Sequence, residues 1–267
     1  MKRTSSLLVT LVALCLLAAI SLGLRTSTPQ TDAELEAELQ GAWLMELRNG
    51  QTMEDLHLRM VKIIQDGYFM FAYFEESTQS FYSAGGGTYG VQDGKYSEDI
   101  RFHTMDPELV GEHLDFNLRL EGDRWYHEGE VSGETLREVF KRTDVDGGSN
   151  LTGAWRCVAH SEADGELHEL RERDPQTWKL VTQKYFQWVT FDSRSGELMG
   201  CSGGTYDWED GIYAERINFH QQDTVLTGHR LVWPSQVEGD RWTQNTPLSR
   251  GSAAPQRQVW QRMASLK

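Results

Sequence analysis

Proline and cysteine are scarce in this chain, and basic residues are outnumbered. Its 267 residues include 6 prolines and 3 cysteines, with 26 Lys and Arg against 40 Asp and Glu. A formal net charge of −14 sets the surface against nucleic acid and anionic membrane, because phosphate binding needs clustered cations. Neither His-x-x-x-His nor Cys-x-x-Cys spacing occurs, so no metal site is expected, and no cofactor motif is present. The pairs Gly86-Gly87 and Gly203-Gly204 lack the following helix and lysine of a phosphate loop, which leaves them the role of a bend or bulge. There is no Gly-x-Ser-x-Gly or other nucleophile motif, and no catalytic residue is assigned on that ground.

The N-terminus reads as an export signal. Lys2 and Arg3 precede an apolar run from Leu7 to Leu24, and Ser21 and Gly23 stand at −3 and −1 of a cleavage point. Residues 1–24 are expected to be a cleaved signal peptide or, if retained, a membrane anchor; the repeats then lie in the periplasm or outside the cell. Without them 24 basic residues face 40 acidic ones. Cys157 and Cys201 remain, and a disulfide between them would be local reinforcement only.

What dominates the remainder is duplication. A shift of 117 places carries Lys62, Tyr68, Phe69 and Phe74 onto Lys179, Tyr185, Phe186 and Phe191. The same shift superposes Gly86-Gly87-Thr88-Tyr89 on Gly203-Gly204-Thr205-Tyr206, and Tyr96, Glu98, Ile100, Phe102 and His103 on Tyr213, Glu215, Ile217, Phe219 and His220. A period this long means two copies of one small domain, not a solenoid. The expected division is 31–144 for the first unit, 145–150 for a linker and 151–264 for the second.

Residues 31–39 suit a short helix, with a Thr or Asp cap and Leu35 and Leu39 four apart. From Gly41 onward the pattern is β: aromatic and aliphatic runs separated by short polar turns, about eight strands per unit, which suggests a sandwich or an up-and-down barrel. Asp93-Gly94 and Asp210-Gly211 are two-residue hairpin loops. They set Val91 against Tyr96, Tyr89 against Glu98, Tyr206 against Glu215 and Trp208 against Tyr213. Period two then gives Tyr89, Val91, Tyr96, Glu98, Ile100 and Phe102 one common face, read as the interior. By parity His103 and His220 fall on the other side, as rim or surface residues, unless a bulge flips the register. A second hairpin at Gly122-Asp123 sets Leu120 against Trp125.

Each unit opens with Gly41-Ala42-Trp43 or Gly153-Ala154-Trp155 and closes on a strand carrying Arg142 or Arg262. Gly-x-Trp on the first strand with Arg on the last resembles the lipocalin and calycin pattern, and nearly the whole chain after residue 24 is similar to tandem lipocalin-like domains of bacterial secreted proteins. The resemblance implies an all-β fold of two consecutive antiparallel up-and-down barrels. In each, Trp43 or Trp155 would close one end with Arg142 or Arg262 packed across its ring, and a small, mostly apolar ligand would enter at the other.

A carboxylate facing a barrel interior must be paired or hydrogen-bonded. The trios Tyr89, Tyr96, Glu98 and Tyr206, Tyr213, Glu215 are therefore the first candidate contacts for a polar ligand head, with the alternative that Tyr hydroxyls and a nearby Arg merely satisfy the acid. Phe69, Phe71, Phe186 and Trp188 are expected inward. Trp125 and Trp242 are core aromatics and secondary ligand candidates. The leading expectation is an exported binding protein for a small hydrophobic or amphipathic molecule. The alternatives are a lyase, isomerase or hydratase with Glu98 or Glu215 as base and Tyr as acid, and a non-catalytic structural or partner-binding module.

Overall fold

The computed structural model describes residues 30–144, 148–161, 165–171, 175–245 and 256–266. The expected signal segment lies outside them, as does the first half of the expected linker, 145–147. No described helix is long and apolar enough to cross a membrane.

Among the described residues one α-helix, α1 (Asp32–Leu39), leads into β1 (Gly41–Arg48). The short β2 (Gln51–Thr52) pairs only with β1. The remaining strands of the first unit are β3 (Arg59–Gln65), β4 (Tyr68–Glu75), β5 (Ser80–Gln92), β6 (Lys95–His103), β7 (His113–Glu121), β8 (Arg124–Val131) and β9 (Glu134–Arg142). Each pairs antiparallel with its neighbour, and β9 returns to β1, so the sheet closes into an eight-stranded barrel. The second unit repeats this order. It comprises β10 (Gly153–Ser161), the short β11 (Leu167–Glu169), β12 (Gln176–Val181), β13 (Tyr185–Phe191), β14 (Leu198–Glu209), β15 (Ile212–His220), β16 (Arg230–Glu238), β17 (Arg241–Asn245) and β18 (Arg257–Arg262). It closes through β10 and β18.

Turn chemistry holds the registers. Asp93 and Gly94 both take positive φ, as do Asp210 and Gly211, the backbone a tight two-residue hairpin requires. Tyr89 accordingly faces Glu98 and Tyr206 faces Glu215. The Gly122 hairpin sets Leu120 against Trp125 as its sequence implies.

One face assignment is corrected. Gly86 pairs with Phe102 but Gly87 pairs with Ile100, leaving Arg101 as an extra residue in β6; Asn218 is its counterpart in β15. A Cβ on Gly87 would fall 1.9 Å from the Asp99 carbonyl oxygen, and one on Gly204 2.0 Å from that of Arg216. Only glycine permits this bulge. Beyond it the parity inverts: Phe102 turns outward and His103 turns in.

Outward does not mean solvated. Phe102 and Phe74 of the first barrel stack against Phe191 and Phe219 of the second, with centroids 5.2 and 5.1 Å apart. They belong to an apolar cluster distinct from the one inside each barrel, built also from Met70, Ala84, Leu180 and Cys201. Residues 32–267 consequently form one compact unit. Cys201 lies in this seam and Cys157 lies inside the second barrel, on opposite faces of the wall, and both thiols are free.

Two carboxylates tie the seam, Asp144 buried and Asp66 half-buried. Asp144 accepts from the Ala42 amide (2.8 Å), the Thr182 hydroxyl (2.7 Å) and the Lys184 amide (2.8 Å), while Asp66 accepts from the Ala154 amide (2.9 Å). Burial pushes the Asp144 pKa up against the pull of these bonds. Replacing Asp144 by Ala strands buried donors from both barrels, and a loss of ~2–3 kcal/mol is expected in urea unfolding, with the transition staying single because the barrels share a core.

Candidate functional site

Each barrel is sealed at one end. Trp43 donates its indole N–H to the Leu39 carbonyl (2.7 Å), and Trp155 does the same to Leu151 (2.7 Å). The Arg142 guanidinium lies 4.1 Å from the Trp43 ring centre, and Arg262 lies 4.2 Å from that of Trp155. Arg142 also donates to the Glu38 and Gln40 carbonyls, covering the helix end. Trp125 packs edge-on to Trp43 at 5.6 Å, and Trp242 to Trp155 at 5.7 Å.

Above this plug sits a buried ion pair. The Lys62 ammonium donates to Glu98, and Lys179 donates to Glu215 at 3.0 Å. Each lysine is ringed by four aromatic side chains, with centroids 5.0–5.6 Å from Lys62 Nζ and 4.8–5.8 Å from Lys179 Nζ. Tyr96 donates to Glu98 (2.9 Å), and the Trp233 indole donates to Glu215 (3.3 Å). Desolvation and the adjacent carboxylate raise the Tyr96 pKa well above its ordinary value, and the same causes act on Tyr213. The cation that satisfies each acid is not an Arg but the lysine of the second strand of each closed barrel, β3 or β12, present in both repeats.

A cavity lies over each pair. The first barrel encloses about 270 Å³ and the second about 480 Å³. Of the twelve candidate contacts, Phe71, Glu98, Trp188 and Glu215 line these cavities. Phe69, Tyr89, Tyr96, Trp125, Phe186, Tyr206, Tyr213 and Trp242 are packed beneath, and all of them but Tyr89 and Tyr206 ring a lysine.

Several lining residues stand outside the twelve candidate contacts. His103 and His220 enter the lumens because of the bulge. In the first barrel His127 Nδ1 donates to Glu138 (3.0 Å), and Arg48 donates to Tyr73 (2.7 Å) with its Nε 4.0 Å from Glu138. Burial holds His127 below the usual histidine pKa, while His127, Lys62 and Arg48 outweigh burial at Glu138 and keep that carboxyl low. Gln244 and Gln258 occupy the corresponding positions in the second barrel. No cluster of three or more His, Cys, Asp or Glu side chains able to hold a metal occurs among the described residues.

A family model described as "Domain of unknown function (DUF4488)" matches residues 38–146, the span of the first barrel. No curated protein matches the chain. Among solved structures, the uncharacterized protein YLR301w from Saccharomyces cerevisiae is similar at 10% identity, with a TM-score of 0.42, covering 85% of this chain and 99% of that one.

Removing Lys179 alone leaves Glu215 buried without its counter-charge. Lys179→Met is expected to lose ~3–5 kcal/mol in denaturant unfolding, and adding Glu215→Gln to recover most of that. Burial lowers the pKa of His103, His127 and His220. Below the ordinary histidine pKa of ~6.5 the unfolded chain therefore binds protons that the native chain refuses, so stability present above that pH is lost as pH falls towards the lowered native values. The unfolding temperature should drop between about pH 7.5 and 5.5, and less steeply in His127→Gln.

Proposed function

We propose that the chain is an exported binding protein whose barrels hold a small hydrophobic or amphipathic molecule in the lumen, in the manner of the lipocalin-like proteins it resembles. The observation that carries this is the 480 Å³ cavity of the second barrel, in the size range of small-molecule sites, with Trp188 and Trp233 among its walls and the Lys179–Glu215 pair at its floor. Apolar wall supplies affinity, and a few fixed polar groups orient the guest. The first barrel, with a smaller lumen crossed by Arg48, Glu138 and His127, is the secondary site. The apolar run of residues 7–24 supports export.

A general-base role for Glu98 or Glu215 is the weaker reading. Each is already held by a lysine and a second donor, and in both barrels the neighbouring tyrosine has its pKa raised, a poor match for proton transfer near neutrality. A purely structural role would be served by filled lumens, whereas the second barrel has space.

Titration with N-phenyl-1-naphthylamine, an uncharged fluorescent naphthalene, tests the proposal. One saturable site is expected, weakened about tenfold or more by Thr190→Phe, which fills the lumen at a lining position, with little change in unfolding temperature. Linear, non-saturating fluorescence in the parent chain would refute lumen binding.

A further inference from the structure

Both lumens present a histidine whose tautomer is imposed by the adjoining loop. The Asp106 amide donates to His103 Nδ1 (2.9 Å), and the Asp223 amide donates to His220 Nδ1 (3.0 Å). An Nδ1 that accepts a hydrogen bond carries no proton, so the neutral ring bears it on Nε2. Burial opposes protonation of both rings. His220 lines the larger cavity, braced edge-on against Trp188 at 5.7 Å, and its Nε2–H has no protein acceptor among the described residues. The result is a fixed donor facing an apolar space.

The charge of that space narrows what it takes. Among the described residues lining the second lumen, the only acidic or basic side chains besides histidine are Lys179 and Glu215, which neutralise each other. An entering carboxylate or ammonium would find no free counter-charge and would forfeit its hydration. Trp188, Trp233 and Trp260 supply flat faces and edges suited to a ring system.

We propose that the second lumen selects an uncharged aromatic molecule carrying a carbonyl or ether oxygen, and that His220 donates its Nε2–H to that oxygen. This rests on the lumen-binding reading and adds two things to it: exclusion of charged amphiphiles such as fatty acids, and a residue that sets specificity. The same geometry at His103 serves a smaller lumen, where Arg48 and Glu138 alter the electrostatics.

The test is displacement of N-phenyl-1-naphthylamine at about pH 8, where histidine is neutral, by three naphthalenes of similar size: 2-acetonaphthone, 2-ethylnaphthalene and 2-naphthoate. The ketone is expected to displace it at concentrations about tenfold below the carboxylate. His220→Phe should weaken the ketone about tenfold, the worth of one hydrogen bond, while the hydrocarbon changes less than about twofold; His220→Gln, which retains an N–H donor, should restore part of the preference. Naphthoate binding as tightly as the ketone, or a ketone-to-hydrocarbon ratio unmoved by His220→Phe, overturns the proposal and leaves lumen binding standing. Failure of the fluorescent probe and the hydrocarbon to bind at all removes both. Should His220→Phe not fold, the three-ligand ranking in the parent chain decides alone.

Discussion

A lysine and a glutamate placed inside each barrel, away from water, are the constraint around which the remaining layers are arranged. Either charge alone in that position would cost several kcal/mol, and the pair is tolerable only with close geometry and further donors. Four aromatic rings around each ammonium, the Tyr96 hydroxyl at Glu98 and the Trp233 indole at Glu215 supply those conditions. The pair divides each lumen in two. Below it, tryptophans and an arginine close the barrel; above it, the side chains leave a cavity.

The second constraint is the seam between barrels. β3 and β4 are buried along nearly their whole length, on both faces, because one face lines the lumen and the other meets the second barrel. The run from Tyr68 to Phe74 is continuously apolar for that reason, where a strand with one wet face would alternate. Asp144 and Asp66 then take up amides that the junction would otherwise bury unpaired. Duplication has thus produced two separately closed barrels that bury an apolar face against each other.

The copies have diverged where divergence is cheapest, above the ion pair. Arg48, His127, Glu138 and Tyr73 give the first lumen a charged, cross-linked interior; Gln244, Gln258 and Thr190 leave the second neutral and larger. Plug, pair and bulge are kept in both.

Much of this was legible in the residues alone. The hairpin registers and the inward Glu98 and Glu215 follow from short-range rules, since turn type sets register and period two sets faces, while the repeat shows in the residues themselves and the Trp–Arg plug was an expectation from the lipocalin resemblance. The lysine partners were visible as repeated residues, yet nothing local says that β3 lies across the barrel from β6 at the height of the acid. Nor could parity alone side His103 and Phe102, because a one-residue bulge reverses every side chain beyond it, and Gly86-Gly87 marks a bulge without saying where the extra residue falls. Which side chains touch the cavity and which support it was decided by closure of the sheet: sequence orders residues along a strand, and only the closed barrel stacks them into layers.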